Sequence, residues 1–167
     1  MSEGADLYER DFVAWTEEQA GRIRAAAGTH SNLPIDWERV AEEIEDLGKS
    51  DARELRRRLT TIIEHLLKLQ QPPAEEPRAG WVGTVARERA EVEALIEESP
   101  SLRARLGALL PRANRDAARA VGAELAARRE IGAAEARSLG APELTPDQIL
   151  GDWFPGGPGG ATRGPRP

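Results

Sequence analysis

The 167-residue chain contains no cysteine and only two histidines, His30 and His65. The lack of cysteine excludes disulfide bonds, thiolate nucleophiles, cysteine-ligated zinc and iron–sulfur clusters. Two imidazoles also exclude any site that needs three histidines from one chain. Aromatic residues make up only 4% of the chain. Several large classes of catalytic and cofactor chemistry are therefore ruled out by composition alone.

Long apolar runs are missing as well, since the apolar stretches are short, such as Ile62-Ile63 and Leu66-Leu67. A helix that spans a bilayer needs about 20 apolar residues, and the acidic N-terminus differs from the basic start of a secretory signal. We therefore expect a cytoplasmic protein with no membrane span. Hydrophobic residues at 40% and charged residues at 31% are typical of a globular chain. The length favours a single helical domain over residues 1–155, and the Gly/Pro-rich residues 156–167 are predicted to be a disordered tail.

Hydrophobic spacing is helical nearly throughout, which predicts an all-α fold: an antiparallel bundle of four to five main helices with a short C-terminal helix. We expect Asp36 to cap the second helix, Gly48 to end it, and Ser50 to open the third. Ser99 is expected to cap the fifth helix, and Pro111 to kink it. The spacing of Thr145-Pro-Asp-Gln148 predicts a capping box for the short terminal helix. The predicted main helices cover about residues 6–27, 36–47, 51–71, 81–98 and 100–130.

The third predicted helix carries the clearest apolar pattern in the chain. Its large residues recur at steps of four and three, which is typical of a helix at the centre of a bundle; they are Leu55, Leu59, Ile62, Leu66 and Leu69. The helix before it presents a shorter apolar stripe that we also expect to face the core, formed by Trp37, Val40, Ala41, Ile44 and Leu47. Because aromatics are scarce, we interpret Trp15, Trp37 and Trp81 as core anchors rather than as a binding platform.

One constellation could support catalysis. His65 could supply a single imidazole, and Glu43, Glu45 or Glu88 could supply oxygen ligands, as in a metal-assisted hydrolase or nuclease. Di-metal carboxylate bundles, however, use Glu-x-x-His pairs on facing helices, and the chain has none. Glu43 and Glu45 also fall on opposite shoulders of their helix. We therefore favour structural roles for these four residues and predict no cofactor and no metal, which makes an enzyme the less favoured hypothesis.

Charge is distributed unevenly along the chain. Residues 36–54 hold eight acids and three bases, a net charge of −5, whereas residues 101–137 hold eight arginines and four acids, a net charge of +4. The two regions could pair within the chain or with another copy, or the basic region could bind phosphates. The overall charge of −6 and the scarcity of aromatics argue against nucleic acid. The leading hypothesis is a small interaction protein that acts by protein–protein contacts, with self-association included, and no small-molecule ligand is evident.

Several blocks of the sequence agree in order and spacing with a known family. They include Asp6–Ala20, Val40–Ser50, Ile63–Lys68, Ile96–Arg103, Leu144–Leu150 and Asp152–Pro155. On these blocks the chain resembles the bacterial domain-of-unknown-function family 29 over about residues 6–155. The resemblance implies an all-helical fold, usually as a small stand-alone protein, but it implies no activity and no site residues. Membership of a toxin–antitoxin-like pair would fit such a protein and stays open as a second alternative.

Overall fold

A computed structural model describes residues 3–29, 33–71, 75–141 and 143–156, and within these ranges it contains seven helices and no strand. The all-α prediction is confirmed, with four long helices and a short C-terminal one. Residues 157–167 of the predicted tail lie outside the described residues. Across the described ranges, no helix combines the length and the apolar character needed to cross a bilayer. The helices are α1 (Glu3–Arg10), α2 (Phe12–Ala27), α3 (Trp37–Gln70), α4 (Glu75–Glu98), α5 (Leu102–Ala127), α6 (Ala133–Ser138) and α7 (Pro146–Leu150).

The first predicted helix is divided into α1 and α2 at Asp11, where the backbone leaves the helical region (φ −159°, ψ 88°). The Asp11 carboxylate accepts a hydrogen bond from the Ala14 amide at 2.9 Å, so Asp11 is the N-cap of α2. The same carboxylate accepts bonds from the Ser101 amide at 2.7 Å and from the Ser101 hydroxyl at 2.8 Å. The break was missed because its second partner lies 90 residues away in the sequence.

The second and third predicted helices are one continuous helix, α3, and the predicted ending at Gly48 is wrong. Gly48 is buried inside the helix, and a Cβ atom at this position would lie only 2.2 Å from Oγ1 of Thr16 on α2. The glycine therefore permits a close approach of two helices rather than a helix terminus. Asp36 does cap α3, because its carboxylate accepts a bond from the Arg39 amide at 3.0 Å.

The later helices differ from the prediction mainly at their starts. α4 begins at Glu75, six residues before the predicted start, and α5 begins at Leu102. The Ser99 hydroxyl accepts a hydrogen bond from the Val13 amide at 3.3 Å. Ser99 therefore does not have its predicted role as the N-cap of α5. α5 continues through Pro111. The capping box of α7 is confirmed, with both reciprocal bonds between Thr145 and Gln148 present.

The C-terminal segment is held by an arginine whose role the sequence did not reveal. Arg89 donates to the carbonyl oxygens of Ile149 (2.8 Å), Gln148 (2.8 Å) and Trp153 (2.9 Å). Its guanidinium also lies 4.8 Å from the centre of the Phe154 ring. Burial lowers the pKa of Arg89 from its ordinary value. The last carbonyls of α7 therefore receive a charged donor in place of a helical partner.

The chain divides into two compact units, Met1–Leu55 with Glu93–Leu106 and Arg56–Val92 with Gly107–Pro167. The single domain over residues 1–155 stays a prediction. Each unit has an aliphatic interior, and the predicted row from Leu55 to Leu69 is buried. The tryptophans at positions 15, 37 and 81 are only half-buried. Fully buried side chains include Val13, Ala20, Ala41, Leu55 and Leu102 in the first unit, and Leu59, Ile62, Ile63, Leu66, Val85 and Ile149 in the second.

Candidate functional site

The buried side of α3 follows a single heptad pattern along the whole helix. The pattern steps by four and three residues without interruption. From Leu55 onward its members are large and buried, whereas before Leu55 they are small residues and one glutamate. Its members are Ala41, Glu45, Gly48, Ala52, Leu55, Leu59, Ile62, Leu66 and Leu69.

A second apolar row precedes this buried row by one residue at each step. Because a helix turns about 100° per residue, the second row is rotated out of the core. Val40 is 39% exposed and Leu47 is 52% exposed, while Trp37 and Ile44 are half-buried. The prediction that Val40 and Leu47 face the core is therefore wrong. We call these four residues, Trp37, Val40, Ile44 and Leu47, the outer stripe.

Charged side chains around the outer stripe are held in ion pairs. Arg24 of α2 donates to Glu38 at 2.9 Å and to Glu45 at 3.3 Å, and Lys49 contacts Glu45 at 3.3 Å and Asp46 at 2.9 Å. The hydrogen bond from Arg24 is the main cause that lowers the pKa of Glu45. These residues are at least 30% exposed, so each pair contributes little to stability. Their main effect is to fix acidic side chains beside an apolar row.

The structure distributes the four candidate ligands over different environments. Glu45 belongs to the ion pairs just described, and Glu43 is exposed on the same helix. Glu88, in the second unit, is half-buried and contacts Nη1 of Arg58 at 3.0 Å. His65, also in the second unit, donates from Nδ1 to the Thr61 carbonyl at 2.8 Å, which leaves Nε2 as its other ring nitrogen. Three of the four candidate groups, those of Glu45, Glu88 and His65, thus already have a local structural partner.

The groups near His65 belong to an ion pair rather than to an open site. Lys68 contacts Glu124 at 2.6 Å, and this contact lowers the pKa of Glu124. Burial raises the pKa of Glu64, which lies beside His65 and Lys68. Throughout the described parts of the chain, no three His, Asp or Glu side chains come together in a way that could hold a metal ion. The metal-assisted hydrolase stays a prediction for which the described residues offer no ligand set.

Three comparisons with known proteins give a consistent picture. The family model described as domain of unknown function DUF29 matches residues 7–153. A solved crystal structure of an alpha-helical protein of unknown function from Rhodospirillum rubrum is 29% identical to this chain. The similarity covers 88% of this chain and 90% of that one, with a TM-score of 0.62. No curated protein sequence matches the chain. The expected family resemblance is confirmed over nearly the whole chain.

Proposed function

We propose that this chain, which belongs to the DUF29 family, is a protein–protein interaction module that binds a partner through the outer stripe of α3. The observation that supports the proposal is the joint exposure of Val40 and Leu47, two large apolar side chains seven residues apart on one face of a helix. Single exposed apolar residues are common, but a row in helical register is typical of a docking face.

The spacing of the outer stripe suits contact with a partner helix. Its members are separated by three, four and three residues, which is the pattern of anchors in helix-in-groove recognition. Burying a large apolar side chain completely contributes about 1.5–3 kcal/mol. Since Val40 and Leu47 are each about half exposed, burial of their remaining surface would contribute about 2 kcal/mol together, or an affinity gain of about thirtyfold.

The acidic surroundings of the stripe select the kind of partner. Residues 36–54 carry a net charge of −5, so a partner with arginines or lysines beside an apolar surface would be favoured and nucleic acid would be repelled. Attraction between exposed charges is screened by salt within about 10 Å at 0.1 M. We accordingly propose that binding is weaker at high ionic strength and that the module acts in the cytoplasm.

Site-specific cross-linking in cells tests the proposal. A photoreactive phenylalanine analogue placed at position 40 should form an adduct whose partner is identified by mass spectrometry. The second change Leu47→Glu should abolish the adduct, because it places a charge in the apolar contact. The same analogue at Val82, which is 37% exposed on α4, is the matched control. Equal adduct yields at positions 40 and 82, or adducts at 40 that survive Leu47→Glu, would contradict the proposal.

A stability measurement separates a docking face from a hidden core. Replacing Val40 and Leu47 together with glutamine should leave the thermal midpoint unchanged or slightly higher, because both side chains are already exposed and glutamine is a good helix former. Circular dichroism melting curves provide the readout, recorded at a concentration at which the wild-type protein is monomeric, because self-association would itself raise the midpoint. A large loss of stability would show that these side chains are buried in the isolated protein, and the outer stripe would then have no free surface to offer.

A further inference from the structure

A groove of about 640 Å³ in the second unit is lined by α5, α6 and the residues from Leu139 to Glu143 that the structure describes. Most of its lining residues are alanine or glycine, so that the surface is apolar and contains few side chains that could fill it. Its volume is within the range of sites that receive a ligand or several side chains of a partner. The groove therefore has room for the large apolar residues of a docking helix.

The groove is a built feature because small residues set its walls. A Cβ atom at Gly122 of α5 would lie 2.6 Å from the carbonyl oxygen of Ala136 in α6. Gly140 has a positive φ of +79°, and a Cβ there would lie 2.8 Å from the Cβ of Ala118. The Asn114 side chain bonds both the amide (3.2 Å) and the carbonyl (3.3 Å) of Leu144. These contacts fix α6 and the segment after it against α5.

Three exposed arginines, Arg115, Arg119 and Arg137, line the groove beside a single acid, Glu143. Within the described ranges, no carboxylate lies within 4 Å of these arginines, whereas Arg24 and Arg58 are each paired with two glutamates. Arginines that keep no partner around an apolar surface form a complementary contact for an acidic, apolar segment. The groove thus has the opposite charge to the surroundings of the outer stripe.

We propose that this groove receives the outer stripe of a second copy of the chain. The inference rests on the proposed function and names the partner of the same stripe. The stripe supplies large apolar side chains within a region of net charge −5. The groove supplies an apolar surface of small residues with arginines that have no carboxylate partner among the residues that the structure describes. Large residues entering a surface of small residues pack well, and opposite charges around them orient the contact.

Self-pairing of either surface is disfavoured by charge. Two stripes facing each other would bring two regions of net charge −5 together, and two grooves would bring six arginines together. A contact between unlike surfaces is heterologous, so it closes into a dimer only when both contacts form reciprocally, and otherwise into a ring or an open chain. Charge therefore selects which surfaces meet, and light scattering gives the number of copies in the assembly.

Mixing two defective variants tests which surfaces meet. The groove variant carries Arg115→Glu and Arg119→Glu, and the stripe variant carries Val40→Ser and Leu47→Ser. Size-exclusion chromatography with light scattering should show wild-type assemblies larger than a monomer and each variant alone as a monomer. An equimolar mixture should form a 1:1 complex, because the intact stripe of the groove variant meets the intact groove of the stripe variant. The apparent dissociation constant of that complex should rise about tenfold or more between about 0.05 and about 0.5 M salt.

Matched controls keep this result specific. Arg103→Glu with Arg112→Glu makes the same charge change at exposed arginines of α5 that do not line the groove, and it should leave assembly unchanged. Circular dichroism melting curves show whether each variant is folded. If a variant unfolds, a milder variant replaces it. The groove variant then carries Arg115→Gln with Arg119→Gln, and the stripe variant carries Val40→Ala with Leu47→Ala.

Three outcomes would overturn the inference. A groove variant that assembles like wild type would show that the groove is not used, and a mixture without a complex would show that the two surfaces do not meet. A wild-type protein that stays monomeric at every concentration would also show that the stripe and the groove do not bind each other. In each case adducts at position 40 with another protein would leave the proposed function standing, so the two failures are distinguishable.

Discussion

The close approach of α2 and α3 at Gly48 provides a sharp test of the first unit. Gly48→Ala places a Cβ atom 2.2 Å from Oγ1 of Thr16, a distance that no real contact tolerates. The hydroxyl cannot simply rotate away without loss, because it donates to the Val13 carbonyl at 2.8 Å. We therefore expect the alanine to push the two helices apart or to break this hydrogen bond.

The expected magnitude follows from opposing contributions. Overpacking of a well-packed interior costs about 1–3 kcal/mol, while alanine in place of a helical glycine gains about 1 kcal/mol. A contact as short as 2.2 Å belongs at the upper end of the overpacking range, so Gly48→Ala should lower the free energy of unfolding by about 2 kcal/mol. In the Thr16→Ala background the clash disappears, because the nearest remaining atom of residue 16 would be its Cβ at 3.5 Å.

A double-mutant cycle measures this contact by urea or thermal unfolding. Thr16→Ala alone should cost about 1 kcal/mol for the lost hydrogen bond. Adding Gly48→Ala to it should then stabilise the protein by about 1 kcal/mol through helix propensity, which gives a coupling energy of about 3 kcal/mol. Gly48→Ala that is neutral or stabilising in the wild-type background would refute the reasoning, since it would show that the two helices are not held at glycine distance.

Three further predictions concern the second unit. Arg89→Lys should lower the free energy of unfolding by about 2–3 kcal/mol in thermal melts, because one ammonium cannot reach three carbonyls. The control is Arg87→Lys, at an exposed arginine two residues earlier, which should be near neutral in the same thermal melts. Asn114→Leu should cost about 2–3 kcal/mol in urea titrations by leaving two backbone groups of Leu144 unpaired. Burial raises the pKa of Glu64, so the folded state prefers the protonated acid; Glu64→Gln should therefore stabilise the protein above about pH 5, and the gain should vanish below about pH 4. Unfolding curves in which Glu64→Gln destabilises at neutral pH would contradict that sign.

The sequence predicted a helical feature correctly where all the residues that determine it lie in one short segment. The capping box at Thr145 and the N-cap at Asp36 depend on residues three positions away, and both are present. The buried row from Leu55 to Leu69 depends only on helical periodicity, and it too is confirmed. Features that depend on a distant partner were not predicted: Asp11 divides two helices with help from Ser101, and Arg89 binds carbonyls about 60 residues later.

Gly48 shows how one wrong boundary also misplaces a candidate site. Glycine is common after a helix C-terminus, and with serine two residues later the sequence favoured two helices. Each was then assigned its own apolar face. With a single helix, the steps of four and three from Leu69 back to Leu55 continue to Gly48 and Ala41, and they bypass Val40 and Leu47 by one residue each. The phase of one long helix was the signal in the sequence that could have identified the outer stripe.

The same small residues explain why the outer stripe is exposed at all. Before Leu55 the buried row of α3 consists of small residues, Ala41, Gly48 and Ala52, together with Glu45, and at Gly48 α2 approaches too closely for a side chain. A helix packed through small residues buries only a narrow strip of its surface, so the neighbouring row of large apolar residues is only partly buried in its own unit. Valine at position 40 and leucine at position 47, in helical register and beside acids held by Arg24 and Lys49, are therefore the observation on which the proposed contact with another protein surface rests.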